Sequence, residues 1–142
     1  MSEFSRHKNN KLFAYLNLLE NQNLWINREK FIQMLDGFVK KNTTIEELLD
    51  QFFHLRSLSM PTMKLWEKKL EEETFIIFPE SFEFSEIISY LYYILDLYDP
   101  EVSFETNIKY PDLIYYGISE KYIRIRIKEY IFPKLKEYCD KS

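Results

Sequence analysis

Apolar residues recur at three- and four-residue spacing along most of the chain, which is the period of a helix with one buried face. In "NKLFAYLNLLE", Leu12, Phe13, Leu16 and Leu19 share such a face. "NREKFIQMLDGFVKK" sets Phe31, Met34, Leu35 and Phe38 on one side after an Asn27 cap, closing near Lys40 and Lys41. "NTTIEELLDQFFHLRSL" opens with two overlapping capping boxes, Thr43 with Glu46 and Thr44 with Glu47. In such a box the hydroxyl and the later carboxylate satisfy each other's orphan amides, so a helix start is predicted there. Ile45, Leu48, Leu49, Phe52 and Leu55 then follow the helical period. Pro61 starts a new helix or kinks a longer one, and "TMKLWEKKLEEE" continues with Leu65, Trp66 and Leu70 on one side. "TFIIFPESFEF" reads as extended or looped around Pro79, and the next helix is expected from Ser85 to Leu97 with Ile88, Leu91, Tyr92 and Leu95 inward.

A long connection follows over residues 99–118, containing Pro100, Pro111 and Gly117. Connections longer than about 12–15 residues are usually functional or flexible. The last segment, "SEKYIRIRIKEYIFPKLKEY", carries two patterns. Ile123, Ile125 and Ile127 alternate with Arg124, Arg126 and Lys128 as in a strand, yet Ile123, Ile127, Tyr130 or Ile131, and Leu135 also form a helical stripe after a Ser119 cap. Its length decides for a helix, kinked or broken at Pro133. The fold class predicted is all-α, an antiparallel helical bundle of four to six helices in a single domain of 142 residues.

Composition narrows the setting. The chain is 46% apolar and 18% aromatic, enough for a core without disulfide or metal. Ala14 is the only alanine, and Phe, Tyr, Met, Ile, Asn and Lys dominate, a bias of AT-rich codons that points to a low-GC bacterium or an organelle genome. The single Cys139 allows no intramolecular disulfide, which suits a reducing compartment. "MSEFSRHKNNKLF" lacks the layout of a signal peptide, and no run reaches the ~18–20 apolar residues of a membrane span. A bacterial cytoplasm or a plastid stroma is the expected location.

Net charge is −4, unevenly spread. Residues 1–66 are net +2 and residues 121–142 net +4, while residues 67–120 hold thirteen acids and three bases. Such an acidic block repels nucleic acid and attracts a basic partner; no membrane contact is expected.

Catalytic chemistry finds little support. His7 and His54 are the only histidines, and His54, near Asp50 on its helix, reads as a partly buried or paired structural residue. With one cysteine and two scattered histidines, no thiolate or imidazole cluster forms at metal-ligand spacing. Gly37 and Gly117 stand alone, so there is no phosphate loop. Plentiful carboxylates leave a magnesium-dependent acid pair open, though no spacing singles one out. Ser85 and Ser119 read as helix caps. Neither an enzyme nor a cofactor is expected. Glu71, Glu72 and Glu73, beside Glu67, read as a solvated helix end, although carboxylates there oppose the helix dipole. The Arg124–Lys128 alternation is a nucleic-acid stripe or, in an acidic protein, an offset to the acidic middle segment.

"SYLYYILDLYDPEVSFE" brings aromatics and acids together. In one reading Tyr90, Tyr93 and the leucines fill the core, while Asp96 and Asp99 end a helix before Pro100. In the other, an acidic surface begins here: Asp96, Asp99, Glu101, Glu105, Asp112 and Glu120 face Lys109 as the one base between them, with Tyr110, Tyr115 and Tyr116 interleaved. Tyrosine adds contact area and a hydroxyl at low entropic cost, so this surface suits a basic, phosphate-binding cleft.

Two blocks resemble the self-protective, colicin D-type immunity family: "FIQMLDGFVKKNTTIEELLDQFFHLR", and "EIISYLYYILDLYDPEV" with "GISEKYIRIRIKEYIFPKLKEY" after a loop. The second block is similar to that family's helix ending in an aromatic and Asp-Pro, its acidic loop, and a final helix opening Glu-x-x-Leu/Ile-Arg, here Glu120, Ile123 and Arg124. Together they cover about three fifths of the chain. The resemblance implies a metal-free helical inhibitor that binds a basic, tRNase-like nuclease toxin and covers its active site, acidic side chains standing in for RNA phosphates. Carried over by position, Asp96, Asp99 and Glu101 are the toxin-facing carboxylates, Glu105 and Asp112 support them, and Tyr98 and Tyr110 share the surface. Residues 1–25 are then an N-terminal helical extension to an immunity-like bundle over 27–142, with an extra segment 57–85 that compact members lack. Long relatives of this kind belong to algal plastid genomes, where an accessory subunit of a larger complex is the alternative role.

Overall fold

The computed structural model describes residues 19–60 and 79–139. The helical face expected from Leu12, the role of Pro61, the Leu65–Leu70 helix, the Glu67 and Glu71–Glu73 cluster and the extended reading before Pro79 lie outside the described residues. What is described is all-α, with a single isolated parallel bridge, Tyr98 with Ile118, as its one β-type pairing.

A helical stretch over 19–26 runs into α1, Arg28–Val39. Asn27 sits at the junction without capping α1 through its side chain; instead its Nδ2 donates to Ser59 Oγ at 3.1 Å, tying the start of α1 to the end of the next helix. The stripe Phe31, Met34, Leu35 and Phe38 is buried as its spacing predicts. α1 ends in a pair of reversed bonds, Asn42 N–H to Gly37 O at 2.8 Å and Lys41 N–H to Phe38 O at 3.0 Å. That closure requires a left-handed residue after the cap, and Lys41 supplies it at φ 63°.

α2, Ile45–Ser59, starts at Thr44, so of the two overlapping capping boxes it is Thr44 with Glu47 that forms. Glu47 N–H donates to Thr44 Oγ1 at 3.1 Å and Thr44 N–H to Glu47 Oε1 at 3.4 Å. Ile45, Leu48, Phe52 and Leu55 are buried, whereas His54 is exposed rather than partly buried or paired.

α3, Glu80–Asp96, begins five residues earlier than Ser85. Pro79 precedes it with φ −54°, preorganised for a helix and lacking the amide that the first turn would leave unbonded. Ser85 is therefore no cap: it lies inside α3 and donates to Asn21 Oδ1 at 2.6 Å. Phe84, Ile88, Leu91, Ile94 and Leu95 are buried. Tyr93, two residues past Leu91, is rotated about 200° off that face and is 46% exposed, so it fills no core. Tyr92 is half-buried, its ring edge-on to Phe53 at 5.9 Å.

The 99–118 connection is built of short helices: α4, Phe104–Lys109, and a 3₁₀ turn, Pro111–Tyr116. Beyond it Ser119 caps α5, Glu120–Arg126, accepting Tyr122 N–H at 3.1 Å. The final segment is helical, and the local break expected at Pro133 falls just before it, without ending the helix. A π turn over Ile127–Ile131 joins α5 to α6, Phe132–Cys139, with Phe132 N–H reaching back to Ile127 O. Two features favour it: Pro133 lacks the N–H for an α bond to Glu129 O and crowds that carbonyl, and the buried residues Ile123, Ile127, Ile131 and Leu135 are spaced by four. Four-residue steps overshoot an α-helix by about 40° each, so the stripe would drift off the core; one wider turn rewinds it.

The core joins α1, α2, α3, α5, the π turn and α6, with Leu24 and Trp25 of the 19–26 stretch. Trp25 packs edge-on to Phe84 at 5.9 Å and to Tyr138 at 5.8 Å, and Phe84 meets Tyr138 at 6.0 Å. Phe31 meets both Phe52 and Phe84. Each such side chain contributes about 1.5–3 kcal/mol through burial, and each edge-to-face pair about 0.5–1.5 kcal/mol more.

Candidate partner-binding surface

The acidic stretch after α3 is held by its own backbone. Ile118 N–H donates to Leu97 O at 2.8 Å and Asp99 N–H to Ile118 O at 2.9 Å, so the segment leaves and returns at one point. Inside it, Asn107 is 97% buried and spans the return strand: its Nδ2 donates to Gly117 O at 3.0 Å and its Oδ1 accepts Ser119 N–H at 2.9 Å. Gly117 fits where no side chain could, since a Cβ would come within 2.9 Å of Val102 Cγ2 and 3.2 Å of Asp99 Cβ. Ser103 caps α4, accepting Thr106 N–H at 3.1 Å.

The seven residues singled out in the sequence divide on this frame. Asp96, Glu101, Glu105, Tyr110 and Asp112 are exposed, and among the described residues none of the four carboxylates takes part in an ion pair. Glu105 and Asp112 sit in first turns, where the helix dipole favours an anion. Asp99 and Tyr98 are half-buried and do structural work. Asp99 Oδ1 accepts Glu101 N–H at 2.9 Å, shaping the turn after Pro100. Tyr98 holds the bridge to Ile118, and its hydroxyl is pushed to a higher pKa, first by burial and then by Glu46, Glu120 and Asp99.

That last observation adds residues the sequence pattern did not single out together. Glu46, at the start of α2, and Glu120, at the start of α5, are close enough to Tyr98 to act on its charge, so three elements place carboxylates at one end of the bundle. Glu120 also pairs with Arg124 at 3.2 Å. Arg124 is committed further: Nη1 donates to Phe38 O at 2.8 Å and Nη2 to Thr43 O at 3.5 Å, with the guanidinium 3.9 Å from the Phe38 ring centre. It covers the carbonyl end of α1, the position where a cation suits a helix. The Arg124–Lys128 alternation therefore divides its work: Arg124 braces α1 and meets the acid Glu120, and Arg126 turns to Tyr90.

Beside the acids lies an aromatic patch. Tyr115 and Tyr116 are 51% and 74% exposed and stack at 4.4 Å. Ile108, Tyr110 and Leu113 are exposed with them. Tyr110, Tyr116, Leu113 and Val102 line a cavity of 170 Å³ over Gly117. Ile108 and Leu113 had no distinguishing pattern in the sequence, because short apolar steps in a loop look the same whether they point in or out.

Among the described residues no three His, Cys, Asp or Glu side chains converge as metal ligands, and no helix is long and apolar enough to cross a membrane. No family model, curated protein or solved structure matches the chain.

Proposed function

We propose that the protein is an immunity-type inhibitor whose acidic, tyrosine-bearing segment 96–116 occupies the basic cleft of a nuclease. One observation carries the reading: three exposed carboxylates, Glu101, Glu105 and Asp112, in no ion pair among the described residues, and a patch of exposed tyrosines stand on a loop that is already held in shape by Asn107, Gly117 and the Tyr98–Ile118 bridge, with Asp96 exposed just before it. A surface ordered before binding loses little conformational entropy on association. Carboxylates aligned by rigid backbone can stand where RNA phosphates would lie against Arg and Lys, and their charge steers the encounter. Tyr115 and Tyr116 supply the contact area that such interfaces use as anchors.

The test is capture of a basic nuclease by the full chain at low salt, followed by titration of its RNA cleavage. A one-to-one loss of cleavage supports inhibition. Reversing Glu101 and Asp112 to Lys should abolish that loss while leaving the helical signal intact, since neither side chain is buried. Asp99 is left untouched in this variant because it shapes the turn. Cleavage that persists at a twofold excess of the wild-type chain sinks the proposal. Recovery of a salt-resistant set of several subunits instead would favour the accessory role in a larger complex.

A further inference from the structure

On the opposite side of α3, away from its acidic C-terminal end, a cleft of 270 Å³ opens between α3 and the π turn. Ile87 forms its apolar wall, with Ile131 fully buried beneath, and Tyr90, Arg126, Tyr130 and Lys134 form its polar part, with Glu86 as its one carboxylate. The hydrogen bonds among these groups run in one direction. The Tyr90 hydroxyl accepts from Arg126 Nε at 3.1 Å and Nη2 at 2.7 Å, and the Tyr130 hydroxyl accepts from Lys134 Nζ at 3.0 Å. Each hydroxyl keeps its own proton to donate, and among the described residues neither finds an acceptor. Among the described residues Arg126 and Lys134 are in no ion pair and Arg126 Nη1 makes no hydrogen bond. Both cations lie instead near the Tyr130 ring, at 5.1 and 4.1 Å.

The cleft is thus rich in donors and poor in acceptors, with one net positive charge and an apolar wall. A group that completes it must bring acceptors, a single negative charge and a flat apolar body. We propose that this cleft binds a small one-ring monoanion, an aromatic carboxylate of about benzoate size, its carboxylate meeting Arg126, Lys134 and the two tyrosine hydroxyls and its ring lying against Ile87. At 270 Å³ the cleft lies just under the roughly 300 Å³ at which small-molecule sites begin, so it admits one ring, with room left for water. The π turn contributes Tyr130 to the wall, and such turns are frequent at functional sites. Arg126 takes a carboxylate well because its planar fork presents several donors at once. A dianionic phosphate ester is matched less well, because Glu86 leaves only one charge uncompensated.

The experiment is titration of the full-length chain with benzoate, its neutral isostere benzamide and sulfate, followed by the tyrosine ring resonances. Benzoate should bind with a Kd on the order of 1 mM, as suits a ligand of this few atoms. Benzamide and sulfate should each bind roughly tenfold more weakly, since one lacks the charge and the other the ring. Lys134→Gln and Arg126→Gln should each weaken benzoate by roughly tenfold. Lys134 is exposed, so its variant stays folded and carries the test even if Arg126→Gln loosens α3. Sulfate binding as tightly as benzoate would show a site that reads charge alone and overturns the proposal. So would benzoate affinity unchanged in Lys134→Gln, or no benzoate shift by about ten times the expected Kd.

Discussion

Asn107 shows how much of this surface rests on a single amide. Its two bonds reach residues ten and twelve positions ahead, and both its nitrogen and its oxygen are used. Replacing it by Ala leaves a buried N–H and a buried C=O without partners, each costing about 1–3 kcal/mol. We expect Asn107→Ala to lower global stability by about 2–3 kcal/mol in urea, unless the loop alone frays. Hydrogen exchange at Gly117 and Ser119 distinguishes these outcomes, and unchanged exchange at both amides would contradict the role given to Asn107. Lys41 is the opposite case. A left-handed residue with a side chain costs about 1–2 kcal/mol, so Lys41→Gly should raise the urea midpoint by the equivalent of about 1 kcal/mol. Neither residue announces itself in the sequence. "NIKY" reads as an ordinary polar loop, and "VKKN" closes a helix without the glycine that marks such ends. Asp99 misled for a related reason: an exposed-looking Asp beside Pro100 has the same letters whether it meets a partner or its own backbone.

At the scale of elements, the apolar period located every described helix that buries a broad stripe, and it placed α1, α2 and the last segment well. It failed at starts. Ser85 resembles a cap because serine caps many helices, while the local geometry of Pro79 had already begun one. It could not foresee the π turn, although the four-residue steps of Ile123, Ile127, Ile131 and Leu135 carry part of its cause. That part is testable. Deleting Lys128, which is exposed within the turn, converts those steps to four, three and four, which an ordinary α-helix keeps on one face. The deletion variant should unfold cooperatively with a loss below about 2 kcal/mol, whereas deleting Arg124 should unfold the end of α1 as well. Equal damage from both deletions would count against the account of the turn.

α6 is joined to α3 by the Tyr138 hydroxyl, which donates to Glu83 Oε2 at 2.7 Å. Burial first, and then the bond and charge of Glu83, push the Tyr138 pKa up to about 12 from the usual 10.0. The folded state therefore holds this proton more tightly than the unfolded chain. The resulting stability is fully present below pH 10 and is lost as the pH rises toward about 12. Tyr138→Phe should flatten that part of the stability curve relative to wild type and leave its slope near pH 7 unchanged. A wild-type-like loss above pH 10 in the variant would assign the effect to the other tyrosines.

For the whole molecule, the charge is a matter of tertiary placement as much as of sequence. The run from Asp96 to Glu120 was legible as an acidic block. That Glu46 joins it from α2 was not, because fifty residues and a folded core lie between Glu46 and Asp96. Exposed charges are screened within about 8 Å at physiological ionic strength, so binding through this end should weaken steeply between 50 and 300 mM salt, on the order of tenfold or more. Glu46→Lys, distant in sequence from the segment 96–116, should lower the association rate and leave the dissociation rate nearly unchanged. A partner whose affinity ignores salt would place the energy of binding in the tyrosines rather than the acids.

The bridge between Tyr98 and Ile118 has a consequence for how such a protein can change over generations. A loop whose two ends meet, and whose interior is pinned by one amide and one glycine, is insulated from the helices that carry it. Substitutions at its exposed positions, such as Glu101, Glu105, Ile108, Asp112 and Tyr116, leave the Asn107 bonds, the bridge and the core in place. Lineages can therefore trade one set of tip residues for another, acquiring a new binding preference in small neutral steps, while the bundle beneath them is inherited unaltered.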